Sequence, residues 1–315
     1  MTGEIEKKEN HFRKSKSERH TVKKHKAETV YEKPNYDNNI LKQPVPRKCI
    51  LSIALPGSII DNCQGLQMKT ILAGQIARAC AVYRVSNVYI FNDTDTIWGA
   101  RHLAKVLTYL ETPQYLRRRL FPKTDDMRFL GALPPLDVPH HFRKTDRYEF
   151  REGVVVEQLK NACLVDIGFE KPIISTIAKE TNTRVTVKVD YASDLGIEGV
   201  IVDKSEAEVK SYWGYNVHTT KTLSDVLNAG DFDYILGTSE RGSTAESLVI
   251  PECKNALILF GGVDGLEKAN DHEGSTKTLE ERFSQYININ PHQGSRTIRT
   301  EEAVLATLSL LNAKF

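Results

Sequence analysis

The chain has 315 residues, 40% of them apolar and 27% charged, with a net charge of +2. That is enough apolar material for a packed core, and the length allows two domains or one domain carrying an insertion. No apolar run approaches the roughly 20 residues of a membrane-spanning helix, and the polar N-terminus lacks the apolar stretch of a secretory signal.

Residues 1–26 hold nine Lys/Arg and four acids, so this tail carries +5 and the remainder −3. So few apolar residues cannot offset the entropy lost on ordering, which predicts a disordered tail. Its cations suit a nuclear-localisation or nucleic-acid-binding arm, and a solubilising terminus accounts for them as well. Pro34, Pro44 and Pro46 among polar residues extend the tail into a linker, setting residues 1–47 apart. The run Cys49-Ile-Leu-Ser-Ile-Ala-Leu55 reads as a strand buried on both faces, stopped by Pro56-Gly57-Ser58. A helix over 64–83 follows, with Met68, Ile71, Leu72, Ile76, Ala79, Cys80 and Tyr83 at helical spacing. Its Gln75 and Arg78, with Arg84 beyond, would face RNA, a second subunit or solvent. A strand over 87–91 is followed by Asn92-Asp93, then by helices over 100–110 and 113–121. This βαβα opening across 48–127 predicts a parallel sheet with right-handed crossovers.

Between 128 and 205 the helical period disappears. Short strand-like runs at 153–156, 162–167, 184–189 and 199–202 predict a small inserted barrel, for which five-stranded barrels of the OB type are an analogy. Such barrels often bind oligonucleotides, while a rigid spacer or lid explains the same strands. Arg117-Arg-Arg119 and Arg143-Lys144 flank it, and Phe142, Tyr148 and Phe150 are candidates to stack on bases. The α/β pattern resumes over 206–315, with a helix at 223–229 and strands ending at Gly237, Gly261 and Asn290. A last helix over 301–311 places Val304, Leu305, Leu308 and Leu311 on one face. The five cysteines, Cys49, Cys63, Cys80, Cys163 and Cys253, form no CxxC pair and no metal-like cluster. They read as reduced structural thiols, and no metal is expected.

The last quarter carries the chemistry. Tyr234-Ile-Leu-Gly-Thr-Ser-Glu-Arg-Gly242, Ala256-Leu-Ile-Leu-Phe-Gly-Gly-Val-Asp-Gly265 and Tyr286-Ile-Asn-Ile-Asn-Pro-His-Gln-Gly-Ser-Arg-Thr-Ile-Arg-Thr-Glu-Glu302 each end an apolar strand in residues that tolerate tight turns or bare backbone. Loops of this kind can converge on one ligand at the carboxyl edge of a parallel sheet. No GxxxxGK[ST] and no GxGxxG occurs, which argues against ATP and NAD. No HExxH, GxSxG or paired Cys/His set supports a metalloprotease, serine-hydrolase or zinc reading.

Four segments, Leu51-Ser-Ile-Ala-Leu-Pro-Gly-Ser58, Leu236-Gly-Thr-Ser-Glu-Arg-Gly242, Leu259-Phe-Gly-Gly-Val-Asp-Gly-Leu266 and Asn290-Pro-His-Gln-Gly-Ser-Arg-Thr-Ile-Arg-Thr-Glu-Glu-Ala303, resemble the SPOUT superfamily of trefoil-knotted RNA methyltransferases. The resemblance covers about 48–315 and is nearest the branch with an OB-like insertion that includes the SPOUT-domain-containing methyltransferase 1 proteins. It implies an open parallel α/β sheet with a C-terminal trefoil knot, interrupted by a small OB-like β-barrel. It also implies S-adenosyl-L-methionine as methyl donor, a homodimer, and RNA as substrate, ribosomal RNA and uridine N3 among the targets. The expected location is the nucleus, in the nucleolus. Carried over by position, the cofactor residues are Gly237, Thr238 and Arg241 from the first loop. The second loop gives Gly261, Gly262 and Gly265, and the third Asn288, Ile289, Asn290, Ser295, Thr297 and Ile298. Bare backbone suits an adenosine, and Arg241 suits either the donor carboxylate or an RNA phosphate. Loss of a uridine N3 proton would be helped by a carboxylate or a neighbouring arginine, for which Asp61, Arg299, Glu301 and Glu302 are the nearest by motif. Glu301 and Glu302 fit better as first-turn acids complementing a helix dipole. A binding protein that assembles ribosomes or scaffolds RNA, retaining the fold without turnover, is the alternative.

Overall fold

The computed structural model describes residues 49–191, 197–312 and 314, so the basic tail and its linker lie outside the described residues. The first strand, β1 (Ile50–Pro56), is succeeded by α1 (Gly65–Val82), β2 (Asn87–Phe91), α2 (Trp98–Glu111) and α3 (Gln114–Leu120). Five antiparallel strands come next: β3 (Phe150–Gln158), β4 (Cys163–Asp166), β5 (Ile173–Ser175), β6 (Arg184–Asp190) and β7 (Glu198–Val202). After α4 (Lys204–Glu208) and β8 (Asn216–Thr220) come α5 (Leu223–Leu227), β9 (Tyr234–Thr244), β10 (Asn255–Leu259), α6 (Gly265–His272), α7 (Leu279–Arg282), β11 (Gln285–Asn288) and α8 (Thr300–Leu311).

Six strands form one parallel sheet in the order β11-β9-β10-β1-β2-β8. Its centre is buried on both faces, which is why β1 and β10 read as unbroken apolar runs. Successive side chains alternate between two cores. Leu51, Ile53, Leu55, Ile258 and Leu236 meet α1, α2 and α8 on one face. Ala54, Leu257 and Leu259 meet Leu223, Leu266, Leu279 and Phe283 on the other. Strand β8 went unread because its sequence, Asn-Val-His-Thr-Thr, is polar; as an exposed edge strand it needs no apolar run. Two expected core positions face solvent instead: Met68 on α1 and Leu305 on α8 are each 50% exposed, because these helices bury only one side.

The five antiparallel strands run β5-β4-β3-β6-β7 around a core of Val155, Cys163, Val165, Ile167, Ile173, Val187 and Ile201. The two outer strands approach each other, with the Ile201 N–H donating to Ser175 Oγ at 3.4 Å, so the sheet is nearly closed. It is fixed to the α/β body by a buried ionic junction. Arg184 of β6 donates to Glu111 at the end of α2 (Nη2 to Oε1, 3.1 Å) and to Glu152 of β3 (Nε to Oε2, 2.5 Å). Trp213 Nε1 and Thr186 Oγ1 also donate to Glu152 Oε1, at 2.6 and 2.7 Å, and His140 Nε2 lies 2.9 Å from Glu111 Oε1. Burial pushes the Glu111 carboxyl up, but Arg184 and His140 more than reverse this and hold it well below the usual carboxylate range.

The aromatics proposed to stack on bases serve the core instead. Phe142 and Phe150 are buried with Trp213, and Tyr148 stacks on Phe142 at 4.5 Å between ring centroids. Arg117 is structural too: it lies over the Tyr109 ring and donates to the carbonyls of Leu110 and Thr112. Arg78 likewise donates to the Leu136 carbonyl. The fold also brings Cys49 and Cys253 together, 204 residues apart in sequence, with their sulfurs at 3.1 Å.

Candidate active site

The site grows from an irregularity in the sheet. Tyr286 pairs with Gly237 and the next residue, Ile287, pairs with Ser243, so residues 238–242 leave the ladder between consecutive β11 positions. That excursion brings Thr238, Ser239, Glu240 and Arg241 over the carboxyl ends of β10 and β11. Thr238 Oγ1 donates to the Leu259 carbonyl at 2.9 Å, and Asn288 Nδ2 to the Glu240 carbonyl at 3.1 Å, joining the three loops. Thr300 Oγ1, in the first turn of α8, donates to the Gly261 carbonyl at 2.9 Å and draws in the segment after β11.

The loops enclose a cleft of about 320 Å³. All the expected cofactor residues line it except Gly237 and Ser295. Gly237 is packed behind the cleft, where a side chain would meet Phe283 and Tyr286. Ser295 donates to the Thr297 carbonyl at 2.9 Å and shapes the third loop from outside. The cleft also has walls that went unread: Phe260, Asp264, Glu267, Gln293, Thr300 and Ala303. Glu267 was hidden because an acid in the first turn of a helix has an ordinary reason to be there; its position two residues after Gly265 was the available signal.

The four residues put forward to help the proton leave are not part of the cleft wall. None of Asp61, Arg299, Glu301 and Glu302 lines the cleft. Asp61 pairs with Lys69 at 3.3 Å, and the Glu302 carboxylate accepts from the Arg299 N–H at 2.9 Å, as a helix cap. A more deeply placed acid adjoins the second loop: Asp93, 3% exposed, accepts from the Ser58 N–H at 3.1 Å and from its hydroxyl. Ser58 Oγ in turn lies 2.9 Å from where a side chain on Gly262 would begin. Among the described residues no group of three or more His, Cys, Asp or Glu is placed to hold a metal ion.

The lining suits a nucleoside with a charged appendage. Ile289, Ile298, Phe260 and Ala303 supply apolar wall, the glycine loop supplies bare backbone, and Arg241 and Glu267 supply charges of both signs. At Gly261 the bareness is forced: a Cβ there would sit 2.8 Å from Gly265 Cα and C.

Residues 50–311 match the family described as "Putative RNA methyltransferase". The chain is 40% identical over 299 residues to the human "28S rRNA (uridine-N(3))-methyltransferase", an alignment covering 86% of this chain and 80% of the human protein. The Drosophila melanogaster protein of the same description is 35% identical over 315 residues, covering 88% and 64% of the two chains. Among solved structures, the SpoU methyltransferase AviRb from Streptomyces viridochromogenes in complex with AdoMet aligns with 88% of this chain and 61% of its own, at a TM-score of 0.36 and 10% identity. The chain belongs to the RNA methyltransferase family that matches residues 50–311.

Proposed function

We propose that the chain transfers a methyl group from S-adenosyl-L-methionine to N3 of a uridine in large-subunit ribosomal RNA. The observation that carries this is the convergence of three strand-end loops on one cleft, in a chain 40% identical to a protein described as performing that reaction. When bound, the donor supplies a methyl group on a sulfonium, so the protein's work is placement and exclusion of water. Gly261, Gly262 and Gly265 offer backbone to the adenosine, Ile289 and Ile298 cover its apolar face, and Thr238 and Asn288 hold the loops in register. Buried Asp93, bonded to half-buried Ser58, fixes the floor beneath Gly262.

The finer architecture follows the same reading. The excursion of 238–242 around β11 supports a C-terminal segment threaded through a loop, the trefoil knot. The nearly closed sheet supports an OB-like insert over 128–205, between α/β parts at 48–127 and 206–315. Exposed Met68 on α1 and Leu305 on α8, two helices that pack together, support a homodimer through that face. The +5 tail supports a nuclear, nucleolar address.

The test is mass-spectrometric mapping of ribosomal RNA from cells with and without the protein, and of naked 28S-type RNA incubated with protein and donor. A 3-methyluridine that appears only with the protein is expected. Tight RNA binding with no new methyl group in either setting refutes the enzyme and leaves an assembly factor.

A further inference from the structure

Among the described residues lining the cleft, Arg241 is the cation, and it faces Glu267 across the gap between the first and second loops. The two side chains differ in how they are held. Glu267 is 28% exposed at its side chain, and its Oε1 accepts from the hydroxyl of Tyr286 at 3.1 Å. That phenol is 8% exposed and belongs to the second core, so the carboxylate is anchored to a rigid element. Arg241 is 69% exposed, and its Nη1 meets the same Oε1 at 3.4 Å. A long, exposed contact of this kind is worth little and opens readily.

A fixed carboxylate beside a swinging guanidinium selects a particular ligand charge. A simple anion reaching Arg241 would meet Glu267, Glu240 and Asp264 on the same walls. A simple cation reaching Glu267 would leave the guanidinium without its partner. A zwitterion with adjacent carboxylate and ammonium replaces the one contact with two of matching sign, and neither protein charge is left alone. Resting on the reading that this cleft holds the methyl donor, we propose that Arg241 and Glu267 bind the α-carboxylate and α-ammonium of the donor's amino-acid end. Tyr286 keeps the Glu267 carboxylate aimed. The adenosine is thereby left to the glycine loop and the third-loop isoleucines.

The product S-adenosylhomocysteine carries the same amino-acid end without the sulfonium charge, and 5′-methylthioadenosine lacks that end altogether. Calorimetric titration of the full chain with both compounds, for wild type, Glu267→Gln and Arg241→Gln, isolates the pair. Each substitution is expected to weaken S-adenosylhomocysteine about tenfold or more, the loss typical of a charge-assisted contact, while 5′-methylthioadenosine stays within about twofold. An affinity ratio between the two compounds that both variants leave unchanged overturns the proposal. Equal loss of both compounds also overturns it, because the pair would then shape the loops rather than read the ligand. If the wild type binds neither compound, the cofactor reading itself falls, and the role of the pair falls with it.

Discussion

Replacing Arg184 with methionine tests whether the antiparallel sheet is locked to the α/β body by charge. The substitution keeps an apolar stem of similar length and removes the guanidinium that serves two carboxylates, Glu111 at 4% and Glu152 at 3% side-chain exposure. Removing one partner of a buried pair strands the other and costs about 3–5 kcal/mol, a large part of the 5–15 kcal/mol typical of a folded domain. Glu152 keeps Trp213 and Thr186, and Glu111 keeps His140, so the loss stops short of two fully stranded charges. In the wild type the Glu111 carboxyl is held below its unfolded value, so its contribution is complete above pH of about 4.3 and fades as pH falls toward the folded value. Without Arg184 burial dominates, the folded value rises above the unfolded one, and the stranded carboxyl takes up a proton as pH falls. Urea unfolding at pH 7 and pH 4 should therefore show a deficit of about 3–5 kcal/mol at pH 7 that shrinks at pH 4. A deficit under about 1 kcal/mol at pH 7 would mean the pair behaves as a solvated surface contact, and the argument for a locked junction would fail.

The same junction makes the fold sensitive to mild acid. Burial pushes His141 down to about 3, with its neighbour His140 adding to the effect. Between its unfolded value of about 6.5 and the folded one, only the unfolded chain takes up that proton, so this residue removes about 1.4 kcal/mol of stability per pH unit as pH falls. His141→Gln should flatten the stability profile between pH 7 and pH 5 measured by denaturant titration, and an unaltered slope would place the acid sensitivity elsewhere. In the basic tail, deletion of residues 1–26 removes nine cations and should flatten the dependence of RNA affinity on salt. A slope that does not change would mean the tail is an address or an inert terminus.

What the sequence discloses about this fold is what local pattern can carry. The apolar runs at 50–56 and 255–259 declare doubly buried strands, and the loss of helical period after residue 128 marks the antiparallel strands. Features that depend on distant pairing are silent. The meeting of Cys49 with Cys253 and the polar edge strand β8 exist because of partners far along the chain. Phe142 and Phe150 read as base-stacking candidates until Trp213 is brought over them. At the site, the glycines of the second loop were readable because bare backbone has few explanations. Glu267 was not, because its helix gives it an innocent role, and only the fold places it in the cleft wall with the phenol of Tyr286 holding its carboxylate.

The return of β9 to the β11 ladder ties cleft to fold, and one methyl group can test it. A Cβ on Gly242 would lie 2.6 Å from both the N and the Cα of Ile287. These are backbone atoms of a central β11 residue, so no side chain can rotate away to make room. Gly242→Ala must push the strands apart at the point where the 238–242 excursion returns to the ladder. Overpacking of this kind costs about 1–3 kcal/mol. The displacement also pulls the Glu240 carbonyl away from Asn288 Nδ2, the hydrogen bond that joins the first loop to the third. Gly294→Ala is the matched control, since it sits in the third loop with nothing within 4 Å of its added methyl group. Thermal unfolding and calorimetric titration with S-adenosylhomocysteine should show Gly242→Ala lowered in Tm and at least about tenfold weaker in binding, a loss near 1.4 kcal/mol, with Gly294→Ala close to wild type in both. If Gly242→Ala melts and binds like the wild type, the two backbones do not touch there and the cleft owes nothing to that contact.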